Sequence, residues 1–257
     1  MAERNKKLRI GKCVFGGAAV TLGVIGLAFH DFATNWQRVD RAVPHRELLA
    51  YLAAACEIAG GAAILWRRTA RAGAALLALI YSVFVLLWVQ KIVPAPLVYD
   101  AWGNFFEESS LLLAALIVFA SASPADSVWA RNQSLIARVY GFCPISYALE
   151  HFFYLKSAAS FVPPWIPPGQ MFWAVATAVC FLLAAAAILS GVKATLAARL
   201  LTAEILAFEL LGWGPRLFAA PHNHFIWSAN GINVALMAAA WVVADSLANR
   251  KLAGAAS

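Results

Sequence analysis

Residues 57–79 read EIAGGAAILWRRTARAGAALLAL. An apolar run with one glutamate and two adjacent glycines meets a basic turn, and a second apolar run follows at once. Two apolar segments reversed over Arg67, Arg68 and Arg71 are expected of helices that cross a bilayer and turn on its cytoplasmic side, where Lys and Arg collect. The runs are too long and too uniformly apolar for barrel strands, and only helices satisfy their own backbone in lipid.

Outward from this pair, eight apolar runs are visible, at 12–30, 47–66, 72–92, 103–121, 135–154, 171–190, 196–213 and 226–246. Each is close to the roughly 20 residues a helix needs to span a membrane. Of the 257 residues 62% are hydrophobic and 13% charged, against about a quarter charged in a typical soluble chain, and the mean hydropathy is +0.72. The longest polar stretch, 121–134, is only a loop. The expected fold is an all-α polytopic bundle of about eight spans in the lipid bilayer.

The net charge of +7 lies at RNKKLRIGK (4–12), WRRTAR (66–71) and NRK (249–251), each flanking an apolar run. No basic stripe with interleaved aromatics exists elsewhere, which excludes nucleic acid as a partner. With the N-terminus inside, Arg4, Lys6, Lys7, Arg9, Lys12, Arg67, Arg68, Arg71, Arg131, Arg138, Lys193, Arg199, Arg250 and Lys251 face the cytoplasm. Only Arg38, Arg41, Arg46, Lys91, Lys156 and Arg216 face outward. Both termini are therefore predicted to be cytoplasmic. The first run follows a basic start, as in a signal peptide, but no small-x-small site follows it, so it is read as a span. Cys13, Cys56, Cys143 and Cys180 form no C-x-x-C pair and read as small apolar side chains.

The chain reads as one unit written twice, 1–125 and 126–257. CEIAGGAAIL (56–65) lies over CFLLAAAAIL (180–189) with five identities in ten. At nearly the same offset Trp102 meets Trp227, and LLLAA from Leu111 meets LMAAA. Upstream, FHDF…VP (29–44) faces EHFF…VPP (150–164). Four spans per unit give both the same orientation, so these are parallel repeats.

EHFFYLKSAASFVPPWIPP (150–168) and the opening stretch together resemble the DoxX-like membrane proteins. That family has a four-helix unit with a helix-end His-Phe, a Val-Pro-x-x-Pro loop and a glutamate ahead of small residues in its second helix. The resemblance implies two such units in tandem in a bacterial inner membrane. The family takes its name from a subunit of a thiosulfate:quinone oxidoreductase, which implies a quinone supplied by the membrane and a redox partner protein. Some relatives are linked to disulfide formation, and unpaired cysteines oppose that role here. The halves depart from one another in their polar residues: Phe181 stands opposite Glu57, and Glu204 and Glu209 stand opposite Ile80 and Val85.

Ionisable residues within spans face the bundle interior and raise a functional question. Glu57 is expected in the close helix contact made by Gly60 and Gly61, either as hydrogen-bonded glue or as a proton or ligand site. Glu204 and Glu209 are five apart, diverge by about 140° and cannot share one point. Further candidate ligand-binding positions are Glu107, Glu108, Glu204, Glu209 and Trp165.

All five histidines fall at outer helix ends, with His30 and Asp31, His45, Glu107 and Glu108, Glu150 and His151, and His222 and His224. Histidine carries protons near neutral pH and ligates metals, but His222 and His224 are weak metal candidates, because no strong zinc spacing is present. The same residues also suit a plain interfacial role. The leading candidates for chemistry are His151 and Glu150, with His30 and Asp31 as their repeat counterparts over one central crevice. Tyr147 lies one turn before His151. VPPWIPP (162–168) is expected to form a rigid lid over Glu150 and His151, with Trp165 as an interfacial anchor, and Pro144 to kink its span.

Three functions follow: a membrane subunit of a quinone-linked redox assembly with an outer His/acid site, a binder or transporter of lipid or another small hydrophobic molecule, and a structural scaffold. No haem, flavin or iron–sulfur motif is present, so any such centre would belong to the partner.

Overall fold

The computed structural model describes residues 4–254, with side chains from 10 to 248. The terminal basic side chains counted above at 4–9 and 250–251 lie outside the described ones. The elements are α1 (Arg4–Phe29), α2 (Arg46–Leu65), α3 (Ala70–Ile92), α4 (Tyr99–Ser121), α5 (Val128–Val139), α6 (Phe142–Phe153), α7 (Leu155–Ser160), α8 (Gln170–Ser190), α9 (Ala194–Phe208), a π-helical turn (Glu209–Trp213), α10 (Gly214–Ala219) and α11 (His224–Gly254).

Among the described residues, six helices rather than eight are long and apolar enough to cross a membrane: α1, α2, α3, α4, α8 and α11. The other two apolar runs are interrupted. The run at 135–154 breaks at Tyr140 and Gly141 into α5 and α6, and the run at 196–213 passes from α9 into the π turn. Pro144 accounts for the first break. It has no N–H for the carbonyl four residues back, that of Tyr140, and its ring clashes there. The Tyr140 carbonyl takes the Cys143 amide instead, at 2.9 Å. The kink expected at Pro144 is thus a full break, placed one turn earlier.

Small residues set how closely the helices approach. A Cβ on Gly61 would lie 2.6 Å from the Gly16 carbonyl oxygen, and one on Gly16 2.7 Å from that of Gly61, so α1 and α2 touch backbone to backbone. Between α2 and α3, a Cβ on Gly73 would lie 2.7 Å from the Gly60 oxygen. Such contacts substitute packing for the hydrophobic drive that lipid removes.

In the first half α1 packs on α2, α2 on α3 and α3 on α4; in the second, α6 packs on α8, α8 on α9 and α9 on α11. The halves meet where α11 lies against α1 and α4, and where α4 lies against α5 and α6. The apolar part of α11 is 83% buried, against 33–56% for the other five, so it forms the centre of the bundle. Its Ala235, Ala238, Ala239 and Ala240 allow neighbours on every side.

Three helix starts share one device. The indole N–H of Trp102 donates to the Pro96 carbonyl (3.0 Å), that of Trp173 to Pro167 (2.9 Å) and that of Trp227 to Pro221 (2.7 Å). Proline supplies a carbonyl on a stiff turn, and the tryptophan six residues on ties the first turn of α4, α8 or α11 to it. In the loop before α2, the Ala42 amide, at 2.9 Å, and Lys91, at 3.8 Å, hold the Asp40 carboxyl below its ordinary value.

Candidate functional site

A cavity of about 810 Å³ lies in the second half, between α8 and α9, closed at one end by α6, α7 and the proline loop. Along α8 its wall runs from Trp173 to Ala187, about 21 Å at 1.5 Å per residue. Leu183, Leu196 and Leu200 line its flank and are 65%, 53% and 61% exposed. The cavity therefore opens sideways between the two helices, past these exposed leucines.

Glu107, Glu150, His151 and Thr177 stand at the lidded end, and Lys193 lines the opposite end. The last turn of α6 presents Glu150 and His151. The His151 ring stands edge-on to Phe181 at 5.4 Å and tilted against Phe208 at 5.7 Å. Its Nδ1 lies 3.2 Å from the Ala174 carbonyl and 3.3 Å from the Thr177 hydroxyl. This fixes the ring and leaves Nε2 as its second polar position. Glu150 packs across Gly103 of α4, where a Cβ would come within 3.2 Å of a carboxylate oxygen. Glu107 of α4 reaches the same wall and accepts the indole N–H of Trp36. Tyr147 shares a hydrogen bond with Ser110 of α4.

Val162, Pro163 and Ile166 of the proline loop line the lidded end, as the lid reading expected, and Gln170 donates to the Val162 carbonyl at 2.6 Å. Trp165, the residue singled out there, is 73% exposed and outside the lining. Further down, Glu204 of α9 and Cys180 of α8 line the cavity, and one Glu204 carboxylate oxygen is buried without a hydrogen-bond partner. Glu209 turns instead to α11, accepting from Asn233 at 3.0 Å. The two glutamates part as their spacing requires.

The remaining sequence candidates stand elsewhere. His30 meets the Tyr51 hydroxyl, and Asp31 pairs with Arg46 and caps the Phe32 amide at 2.7 Å. These contacts tie the loop after α1 to the start of α2, so His30 and Asp31 do not join His151 and Glu150 over a shared crevice. His45 precedes α2 and is exposed. His222 is exposed and His224 stacks on Phe29 at 4.5 Å. Among the described residues no three His, Cys, Asp or Glu side chains converge as a metal site. Glu57 is buried in the first bundle beside the expected glycines, held by the amide of Gln37 at 2.6 Å. Glu108, expected at an outer helix end, is 1% exposed inside the same bundle.

Sequence reasoning missed the cavity, although a signal for it existed. Gly60 and Gly73 close the α2–α3 contact, whereas Ala184 and Ala197, at the corresponding places of CFLLAAAAIL and the following helix, line the cavity. A methyl on each side of a glycine-width contact keeps two helices apart.

No family model, curated protein or solved structure matches the chain. Fold and site define a class, a multi-pass helical membrane protein with a side-opening, largely apolar cavity.

Proposed function

We propose that this protein binds an amphipathic molecule drawn from the bilayer, with its apolar body between α8 and α9 and its polar head at His151 and Thr177. The observation that carries this is the cavity itself. Its size falls among typical small-molecule sites, its wall is mostly apolar, and Glu150, His151 and Thr177 stand together at one end, with Glu204 partway along and Lys193 at the other end. Entry from the side suits a ligand already dissolved in lipid.

The reading includes a DoxX-like protein of two parallel four-helix units, 1–125 and 126–257, with both termini cytoplasmic in a bacterial inner membrane. Its support is the order of helix neighbours, which is the same in both halves, and the recurrence of the Pro96–Trp102 tie at Pro221–Trp227. In this arrangement α5–α6 and α9–α10 are the fifth and seventh spans. Interrupted helices beside a site are a recurrent feature of membrane transporters built from repeats.

A second reading, a quinone-linked subunit of a redox assembly, is favoured by one placement: a fixed imidazole and a hydroxyl side by side at the polar end. A quinone head needs such hydrogen-bonding groups, and its isoprenoid tail needs the apolar groove. The electron-transfer centre would then belong to a partner protein.

Native mass spectrometry of the protein released from lipid nanodiscs tests the reading, alongside the Glu150→Gln/His151→Ala variant. The expected result is one defined bilayer amphiphile on the wild type and its depletion in the variant, with the mass distinguishing quinone from lipid. Bare polypeptide in both, equally well folded, would refute it and leave a scaffold.

A further inference from the structure

The first bundle holds a polar group that the cavity does not use. Glu57 of α2 and Glu108 of α4 are each 1% exposed, and Tyr81 of α3 is fully buried. Glu57 has the Gln37 amide; neither oxygen of Glu108 and not the hydroxyl of Tyr81 has a hydrogen-bond partner. Glu57, Glu108 and Tyr81 are close enough to interact electrostatically with one another. Around them α1 brings Phe15, whose ring lies 6.4 Å from that of Tyr81, and α3 brings Phe84. Among the described residues no Lys, Arg or His side chain is a charge partner of Glu57 or Tyr81, and the acids next in line, Glu150 and Asp100, act on Glu107. Two carboxylates and a phenol in a dry core, without a cation, are a costly arrangement unless protons neutralise them and supply the missing donors.

The group is not sealed from the cavity. Glu107, next to Glu108 on α4, lines the cavity wall and interacts with both Glu108 and Glu150. The loop after α1 secures both sides with consecutive residues, Trp36 on Glu107 and Gln37 on Glu57. The carboxyls of Glu57, Glu108, Glu107 and Glu150 thus follow one another electrostatically from the core of the first bundle to the lidded end of the cavity, without a hydrogen bond joining Glu108 to its neighbours.

We propose that Glu57, Glu108 and Tyr81 form a proton-holding site that exchanges with the cavity through Glu107 and Glu150. A proton from water in the cavity protonates Glu150 and then Glu107. Neither oxygen of Glu108 has a hydrogen-bond partner, so the onward steps to Glu108 and Glu57 require these side chains to swing into hydrogen-bond reach of one another, and release reverses the order. No bond other than O–H forms or breaks and no electron moves. The site requires that the cavity admit water and that these carboxyl side chains reorient, so it stands apart from the identity of the bound amphiphile.

Infrared spectroscopy of the full chain in lipid nanodiscs at neutral pH, in H₂O and after transfer to D₂O, tests it. The wild type is expected to show carboxylic-acid carbonyl absorption that is lost in part in Glu57→Gln and in Glu108→Gln. Tyr81→Phe is expected to shift that band without removing it. In the Glu107→Gln/Glu150→Gln variant its deuterium exchange should slow by on the order of a hundredfold, the usual weight of a positioned proton carrier. Absence of the band from the wild type, or its survival at full intensity in a folded Glu57→Gln/Glu108→Gln variant, would overturn the site. A band that does not move in Tyr81→Phe would remove Tyr81 from it. Unchanged exchange in the Glu107/Glu150 variant would overturn the route.

Discussion

Replacing Thr177 by Phe is expected to lower retention of the bound amphiphile by at least about tenfold, equivalent to roughly 1.4 kcal/mol, while leaving the protein folded. Thr177 lies on the cavity wall 3.3 Å from the Nδ1 of His151, where the polar head of a ligand would sit. Its hydroxyl otherwise bonds within its own helix, to the Trp173 carbonyl at 2.8 Å, so its loss leaves no partner on another element except His151. His151 keeps the Ala174 carbonyl at 3.2 Å. The added ring fills existing space beside Phe181 and His151, so the packing penalty usual for enlarging a core residue is small here. The measurement is the ligand-to-protein ratio after extraction, with thermal unfolding as the control for folding. Equal retention in a folded variant would move the ligand away from the lidded end.

The second large effect is on stability. Gln37→Leu removes the amide that donates to Glu57 at 2.6 Å in a fully dry setting. Stranding a buried polar group costs about 1–3 kcal/mol, and more where the group is charged. The double variant Gln37→Leu/Glu57→Leu removes both groups together and is expected to recover the share of that loss due to the stranded Glu57, while the Ala33 amide, which donates to the Gln37 side-chain carbonyl oxygen at 3.1 Å, stays unpaired in both variants. Unfolding by denaturant in mild detergent, as a double-mutant cycle, reads the difference. Additive losses would show that the Gln37–Glu57 contact is not coupled. Recovery would also provide a folded protein without Glu57, useful for testing the proton site.

Much of this architecture was legible. The glycine pair after Glu57 predicted a close helix contact beside a buried glutamate, and Gly60 and Gly61 do lie in such contacts, though with two different helices, at Gly73 of α3 and Gly16 of α1. Lid, Glu150 and His151 also came together, since helix end and proline loop are adjacent in sequence. What depends on distant helices was not legible. Glu107 and Glu108 read as one acidic helix end, yet consecutive residues on a helix point about 100° apart. One therefore faces the cavity and the other the core of the first bundle. His30 and Asp31 read as counterparts of His151 and Glu150, but Arg46 and Tyr51 take them up locally. Periodicity cannot foresee a broken helix either. Pro144 announced a disturbance, and only the structure places it at Tyr140, whereas nothing in AFELLGW announces the π turn from Glu209.

The aligned stretches of the two halves pack differently. With Glu57, Gly60 and Gly73 the first half closes around buried acids. With Phe181, Ala184 and Ala197 at the matching places the second half parts and forms a cavity.

Photo-crosslinking is the most direct test of the central claim, that a bilayer amphiphile lies between α8 and α9. A photoactivatable phospholipid or isoprenoid quinone analogue, incorporated in nanodiscs and followed by peptide mapping, reports where ligands sit. The account predicts labels on residues 173–187 and 196–208, lost on competition with the unlabelled compound. Labels spread evenly over the lipid-facing helices, or concentrated on α2 and α3 and indifferent to competitor, would contradict it.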